Sequence, residues 1–330
     1  MLAYIIRRIL TMIPTLVAIS IISFAIIQLP PGDFFTTYVA QLSASGEAVD
    51  QAELESLRQR FGLDQPMYIQ YLKWAWNFVR GDFGQSFEWN QPVRALIGER
   101  LAMTVLISTC TLLFTWAVAV PIGIYSAVRQ YSWMDYFLTL IGFIGLATPN
   151  FLFALVLLWV SYSWFDMSIG GLLSPQFVDA PWSLAKTLDL FKHLWIPIVI
   201  VGTAHTAKFI RIIRGNLLDE LKKPYVTTAR AKGLSETRLI LKYPVRVAIN
   251  PLVSTIGWTL PELVSGIAIT AVVLNLPTTG PLLLRALLSQ DMQLAGTFIM
   301  FLATLTVIGT LVSDILLAWV DPRIRFGARE

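Results

Sequence analysis

The stretch YVTTARAKGLSETRLILKYP, Tyr225 to Pro244, is basic and rich in small residues inside a chain that is mostly apolar. Pro224 suits the first position of a helix, and Gly233 suits the left-handed turn that ends one. Ser235 suits the cap of a second helix that begins at Glu236. The pattern predicts a compact knob made of a helix, a glycine bend and a second helix. The alternative is an ordinary basic loop between membrane helices.

The composition around this stretch is that of a membrane protein. Of the 330 residues, 55% are hydrophobic and 14% are charged, whereas a soluble domain carries roughly a quarter charged residues. The net charge of +4 would suit nucleic acid, but in membrane proteins excess Lys and Arg mark cytoplasmic loops, so we expect no nucleic-acid partner. Cys110 is the only cysteine, which excludes an intrachain disulfide and a cysteine metal cluster.

Apolar stretches that could cross a bilayer, which takes about 20 residues, recur along the chain. They cover residues 9–29, 101–128, 136–159, 194–213, 251–276 and 294–320. No internal repeat or soluble second domain interrupts them. The sequence therefore predicts an all-α membrane protein with six transmembrane helices in one domain over residues 1–330, set in the lipid bilayer.

Basic residues indicate the orientation of these helices, because cytoplasmic loops are rich in Lys and Arg. The run after Arg7 and Arg8 is too long for a usual signal peptide, which favours an uncleaved first helix. The alternate loops and the tail on the side of Arg7 and Arg8 carry further basic residues, namely Arg129, Arg214, Lys222, Lys223, Arg230, Lys232, Arg238, Lys242, Arg246, Arg323, Arg325 and Arg329. We expect both termini and the loop 215–247 to be cytoplasmic.

The segment 30–100 should then form a helical extracytoplasmic insertion between the first two spans. Asp50 and Glu53 resemble a capping box before a helix that ends near Gly62, and Pro66 suits the start of a second helix. One face of that second helix would carry Met67, Tyr71, Trp74 and Phe78. A subdomain resting partly on the bilayer and an interfacial helix without a partner are both open on sequence alone.

Catalytic and cofactor motifs are missing from the sequence. It contains no G-x-x-x-x-G-K-[ST] phosphate loop and no H-E-x-x-H metal pair. Cys110, His193 and His205 are too few and too scattered for an intramembrane catalytic site. We expect a chain that is not an enzyme and binds neither a metal nor a cofactor itself. A self-sufficient channel or secondary transporter would predict an inverted repeat, which the sequence does not show.

Polar residues inside the spans are the remaining candidates for function. Glu262, between Pro261 and Gly266, should either line a polar pathway or form a structural pair. Asn150 ends the stretch GLATPN, residues 145–150, which either brings helices close together or opens one at a kink. His205 is either functional or a neutral histidine bonded across helices.

Four further charged groups in or near the spans have simpler interpretations. Lys208 and Arg211 are expected to snorkel to the cytoplasmic interface. Asp291 should lie at an extracytoplasmic helix start, and Asp314 should face the bundle interior or a neighbouring subunit.

Motifs spread over nearly the whole chain, together with YVTTARAKGL, resemble inner-membrane permeases of binding-protein-dependent ABC importers, in the oligopeptide, dipeptide and nickel group. These motifs are RRIL…IPTL at 7–16, PPGD at 30–33, FGLDQPMYIQYLKW at 61–74, GDFGQS at 81–86 and DPRIR at 321–325. Their order and spacing resemble the first of the two permease subunits in such systems.

The resemblance implies a type I ABC importer permease fold in a bacterial or archaeal cytoplasmic membrane. It also implies partners: a second homologous permease, two ATPase subunits that hold ATP and Mg, and an extracytoplasmic substrate-binding protein. The knob would be the coupling helix that docks on an ATPase. The motif carries this role onto Tyr225, Thr228, Ala229, Arg230, Lys232 and Gly233.

The sequence departs from the family pattern in two places. Thr228 to Arg230 replace the Glu-Ala-Ala of the broad family, as is usual in the peptide group. In TAVVLNLPTTGPLL, residues 270–283, Ala271 stands where peptide permeases commonly carry an acid. That departure resembles a subgroup found with oligosaccharide as well as peptide systems, so both cargoes are open. We expect Asn150, Glu262 and Asn275 to approach the substrate pathway.

Overall fold

The structure of the protein is a computed structural model that describes residues 2–29, 36, 39, 62, 64–165, 170–178 and 180–320. Within these ranges the regular structure is helical apart from an isolated bridge between Gln85 and Pro92. The helices are α1 (Leu2–Gln28), α2 (Met67–Val79), α3 (Val93–Val128), α4 (Trp133–Ala147), α5 (Asn150–Phe165), α6 (Leu184–Leu221), α7 (Pro224–Ala231), α8 (Glu236–Lys242), α9 (Pro244–Ala248), α10 (Asn250–Val273), α11 (Thr279–Leu288) and α12 (Met292–Val320). The predicted all-α class is confirmed.

Candidate membrane spans are fewer than predicted among the described residues. The helices α1, α3, α6 and α12 are long and apolar enough to cross a membrane, and α4 with α5 would make a fifth span if the bent pair counts as one. The predicted span 251–276 falls on α10, whose apolar part, Glu262–Val273, is shorter than the helices that could cross a membrane. The count of six remains a prediction.

The predicted span 136–159 is not one continuous helix. The axes of α4 and α5 differ by 101° at a break between them. Pro149 cannot donate a backbone hydrogen bond and disfavours helical geometry in the preceding residue. Thr148 accordingly has φ −88° and ψ 119°, and its hydroxyl donates to the Ile144 carbonyl over 2.8 Å. Of the two alternatives left open for GLATPN, the structure shows the kink at Thr148 and also, at Gly145, a close approach of helices.

The described residues divide into two compact units, one within 103–277 and 308–320 and the other within 2–102 and 278–307. The domain limits 1–330, 30–100 and 215–247 remain predictions. The Asp50–Glu53 capping box, PPGD and DPRIR lie outside the described residues.

In the unit of residues 2–102 and 278–307, helix α2 packs through one face. Trp74 is buried and Tyr71 is half-buried, and the Tyr71 hydroxyl lies 2.8 Å from that of Ser20. Met67, predicted on the same face of the helix, is exposed. The buried core of this unit consists of Phe24, Ile27, Trp74, Val93, Ile97, Leu282, Ala286, Met292, Leu294, Ala295, Phe298 and Met300.

Asp291 lies fully buried immediately before α12 in the same unit. Its Oδ1 accepts the Leu294 backbone N–H over 3.1 Å, which caps the helix. Its Oδ2 accepts the Ser86 hydroxyl over 2.5 Å and the Phe87 backbone N–H over 2.8 Å. The predicted position at a helix start is confirmed, and the contact with the loop around Ser86 was not predicted.

In the other unit, Gly145 allows α4 to approach α6 closely. A Cβ at Gly145 would lie 2.6 Å from the Thr203 methyl, whereas one at Gly142 would lie 3.7 Å from Ala207, an ordinary contact. We expect Gly145→Ala to destabilise the protein by about 1–3 kcal/mol, because overpacking forces the helices apart. Gly142→Ala is the matched control.

Thermal unfolding of the purified protein measures this difference. Adding Thr203→Ser to Gly145→Ala should restore stability, because serine lacks the methyl but keeps the hydroxyl that donates to the Val199 carbonyl over 2.6 Å. Equal losses in the Gly145 and Gly142 variants would contradict the close approach.

Candidate functional site

The stretch YVTTARAKGLSETRLILKYP forms most of a knob, residues 224–248, made of α7, α8 and α9. Its inner side joins an apolar cluster that includes Ala127 of α3 and Leu217 of α6. The buried members from the knob are Val226, Ala229, Leu239, Ile240, Val245 and Ala248. The knob is therefore packed onto two long apolar helices rather than hanging as a free loop.

The helix start and the glycine bend predicted from the local sequence are both present in the knob. Pro224 is the first residue of α7, and Gly233 has φ +77°. The Gly233 backbone N–H donates to the Arg230 carbonyl over 3.0 Å. Ser235 precedes α8 as predicted, but its side chain makes no capping hydrogen bond. The predicted order of helix, glycine bend and helix is confirmed.

Five of the six predicted coupling residues lie on the exposed side of the knob, and one does not. The exposed residues are Tyr225, Thr228, Arg230, Lys232 and Gly233. Ala229 is only 9% exposed and belongs to the apolar cluster. Its small side chain lets α7 lie close to its base, so it cannot contribute to a contact surface in this structure.

The charges on the knob are arranged in a way that the sequence analysis missed. Arg230 and Glu236 form an ion pair across the bend. Hydrogen bonding and charge attraction within this pair lower the pKa of Glu236 and raise that of Arg230, so both stay ionised at neutral pH. Within the part of the chain that the structure describes, no carboxylate pairs with Lys232. The sequence did carry a signal for this ion pair, because Arg230 and Glu236 have opposite charges and lie on the two sides of Gly233.

Tyr225 is fixed by the end of α6. Its hydroxyl donates to Glu220 over 2.6 Å. Partial burial and this hydrogen bond raise the pKa of Tyr225, so the phenol remains protonated and able to donate. The ring is 38% exposed and presents a polar aromatic edge beside α7.

Glu262 was predicted as a pathway residue and has a partner in this structure. Lys208 Nζ of α6 lies 3.6 Å from its carboxylate, and the two side chains are 36% and 44% exposed. Lys208 was predicted to snorkel to the cytoplasmic interface, and that stays a prediction beside this ion pair. Because both charged groups lie in apolar helices and keep substantial exposure, they suit a polar cavity.

Asn150 and Asn275 lie at helix ends, whereas Glu262 lies in the middle of α10. Asn150 begins α5 and is half-buried, while Asn275 is exposed and has φ +51° just beyond α10. Thirteen positions separate Glu262 from Asn275, or about 20 Å along a helix. Among the described residues, no hydrogen bond connects these three side chains.

Two family models match most of the chain. A family model described as "Binding-protein-dependent transport system inner membrane component" matches residues 119–326. A second model, for the N-terminal part of such membrane components, matches residues 1–108. Together the matches include every residue of the knob.

Curated relatives match over the full length of the chain. The oligopeptide transport system permease protein AppB of Bacillus subtilis is 36% identical over 99% of this chain and 100% of its own length. The dipeptide transport system permease protein DppB of Escherichia coli K12 is 30% identical over 98% of this chain and 99% of its own.

A solved structure of the MetNI methionine ABC transporter, in inward-facing conformations, is similar in fold. It matches with a TM-score of 0.54 at 15% identity, over 68% of this chain and 96% of the matched chain. This likeness supports the predicted permease architecture.

Proposed function

The chain belongs to the family of inner membrane components of binding-protein-dependent transport systems, and from this premise we propose that it is an ABC importer permease that forms half of a translocation pathway for peptides. The knob supports the proposal most directly, because it presents an exposed polar face on a base packed against α3 and α6. Relatives named as oligopeptide and dipeptide permeases align along the entire chain and favour peptide cargo.

The proposed assembly contains further subunits. A second homologous permease would complete the pathway, and two ATPase subunits would carry ATP and Mg. An extracytoplasmic binding protein would deliver cargo. Both termini and the knob would lie on the cytoplasmic side of a bacterial or archaeal inner membrane. There α7 and the bend after it would dock on an ATPase through Tyr225, Thr228, Arg230, Lys232 and Gly233. Ala229 would support that face from below.

The coupling of the proposed subunits can be tested directly. ATPase activity of the complex purified from membranes would be measured in lipid, with its candidate binding protein loaded in turn with peptides and with oligosaccharides. We expect peptide-loaded protein to stimulate hydrolysis. Stimulation by oligosaccharides alone would assign the other cargo. A complex without an ATPase would favour a secondary transporter or channel and overturn the proposal.

Asn150, Glu262 and Asn275 are proposed to approach the substrate pathway at different depths. Of the three, Glu262 is the most informative, because Lys208 lies beside it. We expect Glu262→Gln to lower the rate of uptake about 5- to 10-fold, the effect of ~1 kcal/mol on the activation barrier of transport. The subunits should still copurify.

The double variant Glu262→Gln, Lys208→Met separates a pathway role from a structural pair. If the pair only stabilises the helices, removing both charges should restore uptake. If the carboxylate acts on the passing solute, the double variant should stay impaired. Unchanged uptake in the single variant would remove Glu262 from the pathway.

A further inference from the structure

A cavity of about 220 Å³ lies between α4 and α6, and neither Glu262 nor any knob residue is among its lining residues. Its walls are mainly apolar, and both of its charged side chains are cationic. The lining residues are Leu138, Thr139, Gly142, Phe143, Leu146, Ala207, Ile210, Arg211, Arg214 and Gly215. An apolar slot with only positive charge suits a ligand that has an apolar part and an anionic part.

The two arginines differ in how they are held. Arg214 Nη2 lies 3.0 Å from Asp135 Oδ2, and Asp135 is buried at the first turn of α4. The Arg211 guanidinium lies over the Phe143 ring, 5.9 Å from the ring centroid. Within the part of the chain that the structure describes, no carboxylate pairs with Arg211. One acid therefore offsets one of two cations, and a positive charge remains.

The charged and apolar parts of the cavity are separated along the helices. Close pairs run from Arg214–Asp135 to Gly145–Thr203, so α4 and α6 are antiparallel here. The arginine at 214 lies level with the start of α4. The wall from Leu138 to Leu146 continues for about 12 Å along the helix. The polar end is thus near the helix terminus, and the apolar end lies deeper.

Surface residues identify the polar end as a membrane interface. Trp133 and Tyr136 are exposed at the start of α4, where amphipathic rings mark the headgroup level. Farther along the same helix, Leu140, Ile141 and Ile144 are exposed. This order, aromatic and then aliphatic, is the one expected for a helix that enters lipid from its first residue.

We propose that the cavity binds an anionic phospholipid, with its phosphate at Arg211 and Arg214 and an acyl chain along Leu138, Leu146 and Ile210. Basic pockets between membrane helices bind anionic lipid headgroups through the same combination of features. The proposal needs only that α4 and α6 are membrane helices, so it does not depend on peptide transport. In the orientation proposed above, the site opens to the cytoplasmic leaflet.

Native mass spectrometry can test the site on the complex as purified from membranes. The complex is exchanged into nanodiscs of phosphatidylcholine and phosphatidylglycerol, and the lipids it retains are counted. Arg211→Gln should reduce retained phosphatidylglycerol about tenfold, the loss of one charge-assisted hydrogen bond. Arg238→Gln is the matched control, because Arg238 is an exposed arginine of α8 outside the cavity.

A second variant keeps the charge and fills the slot. Thr139→Phe should also reduce retained phosphatidylglycerol, with both arginines in place. Unchanged retention in both variants would overturn the proposal. A wild-type complex that retains no phosphatidylglycerol but binds inorganic phosphate, with Arg211→Gln abolishing that binding, would assign a free-anion site and overturn the proposal. A photoreactive residue at position 146 that crosslinks to another subunit rather than to lipid would show that a protein covers the cavity.

Discussion

Replacing Gly233 by valine is expected to reduce uptake per ATP hydrolysed by about tenfold or more, while the complex still assembles. Gly233 has φ +77°, a region in which a β-branched residue is strained. A Cβ there would meet nothing within 4 Å, so the expected effect comes from the backbone and not from a clash. Relaxation of the bend would turn α7 away from α8 and separate Arg230 from Glu236.

A graded series at this position isolates the backbone effect. Asparagine tolerates the left-handed conformation far better than valine, and alanine lies between them. Coupling should therefore fall in the order Gly, Asn, Ala, Val, measured as cargo imported per ATP hydrolysed in proteoliposomes. Thr237→Val is the matched control, because Thr237 is exposed and helical on α8 and lies outside the residues proposed to dock. If the asparagine variant were as impaired as the valine variant, side-chain bulk rather than backbone geometry would be the cause.

Replacing Asp291 by alanine is expected to destabilise the protein by about 3 kcal/mol or more. The carboxylate accepts the Ser86 hydroxyl and the backbone N–H groups of Phe87, Glu88 and Leu294. Each buried donor that loses its acceptor costs about 1–3 kcal/mol. The loop from Ser86 would be released from α12, and the cap of that helix would be lost.

Thermal unfolding and limited trypsin cleavage measure the two consequences of this change. Arg80 and Arg94 flank the loop and are exposed, so cleavage there should become faster when the loop is released. Asp82→Ala is the matched control, because Asp82 is an exposed acid of the same loop that accepts only the Gly84 N–H among its described contacts. Equal stability of the Asp291 variant and the wild type would show that water replaces the carboxylate without loss.

Local features of this fold were predictable because a few consecutive residues determine them. Pro224 and Gly233 restrict backbone torsions directly, so the start of α7 and the bend after it could be predicted from the sequence. Pro149 likewise indicated a kink. The bend of 101° could not be predicted, because neighbouring helices often tolerate a proline within a membrane span.

The charge pairs could not be predicted from the sequence, because their members lie far apart along the chain. Glu262 meets Lys208, and Asp135 meets Arg214, across 54 and 79 positions of the chain. Helical spacing indicates neighbours three or four positions apart and carries no information about such distant pairs. Ala229 is a subtler case. The motif places it in the coupling helix, but only packing shows that it faces the base.

Substitutions on the inner and the outer side of α7 are restricted by different constraints during evolution. Val226 and Ala229 are packed into this chain's own core, so substitutions there are restricted by the fold itself. Thr227, Thr228, Ala231 and Lys232 are exposed and fill no internal space. Their identities can drift along with a neighbouring protein while the helix stays folded. An exchange of those outer residues between related chains should therefore redirect the choice of neighbour without a redesign of the scaffold.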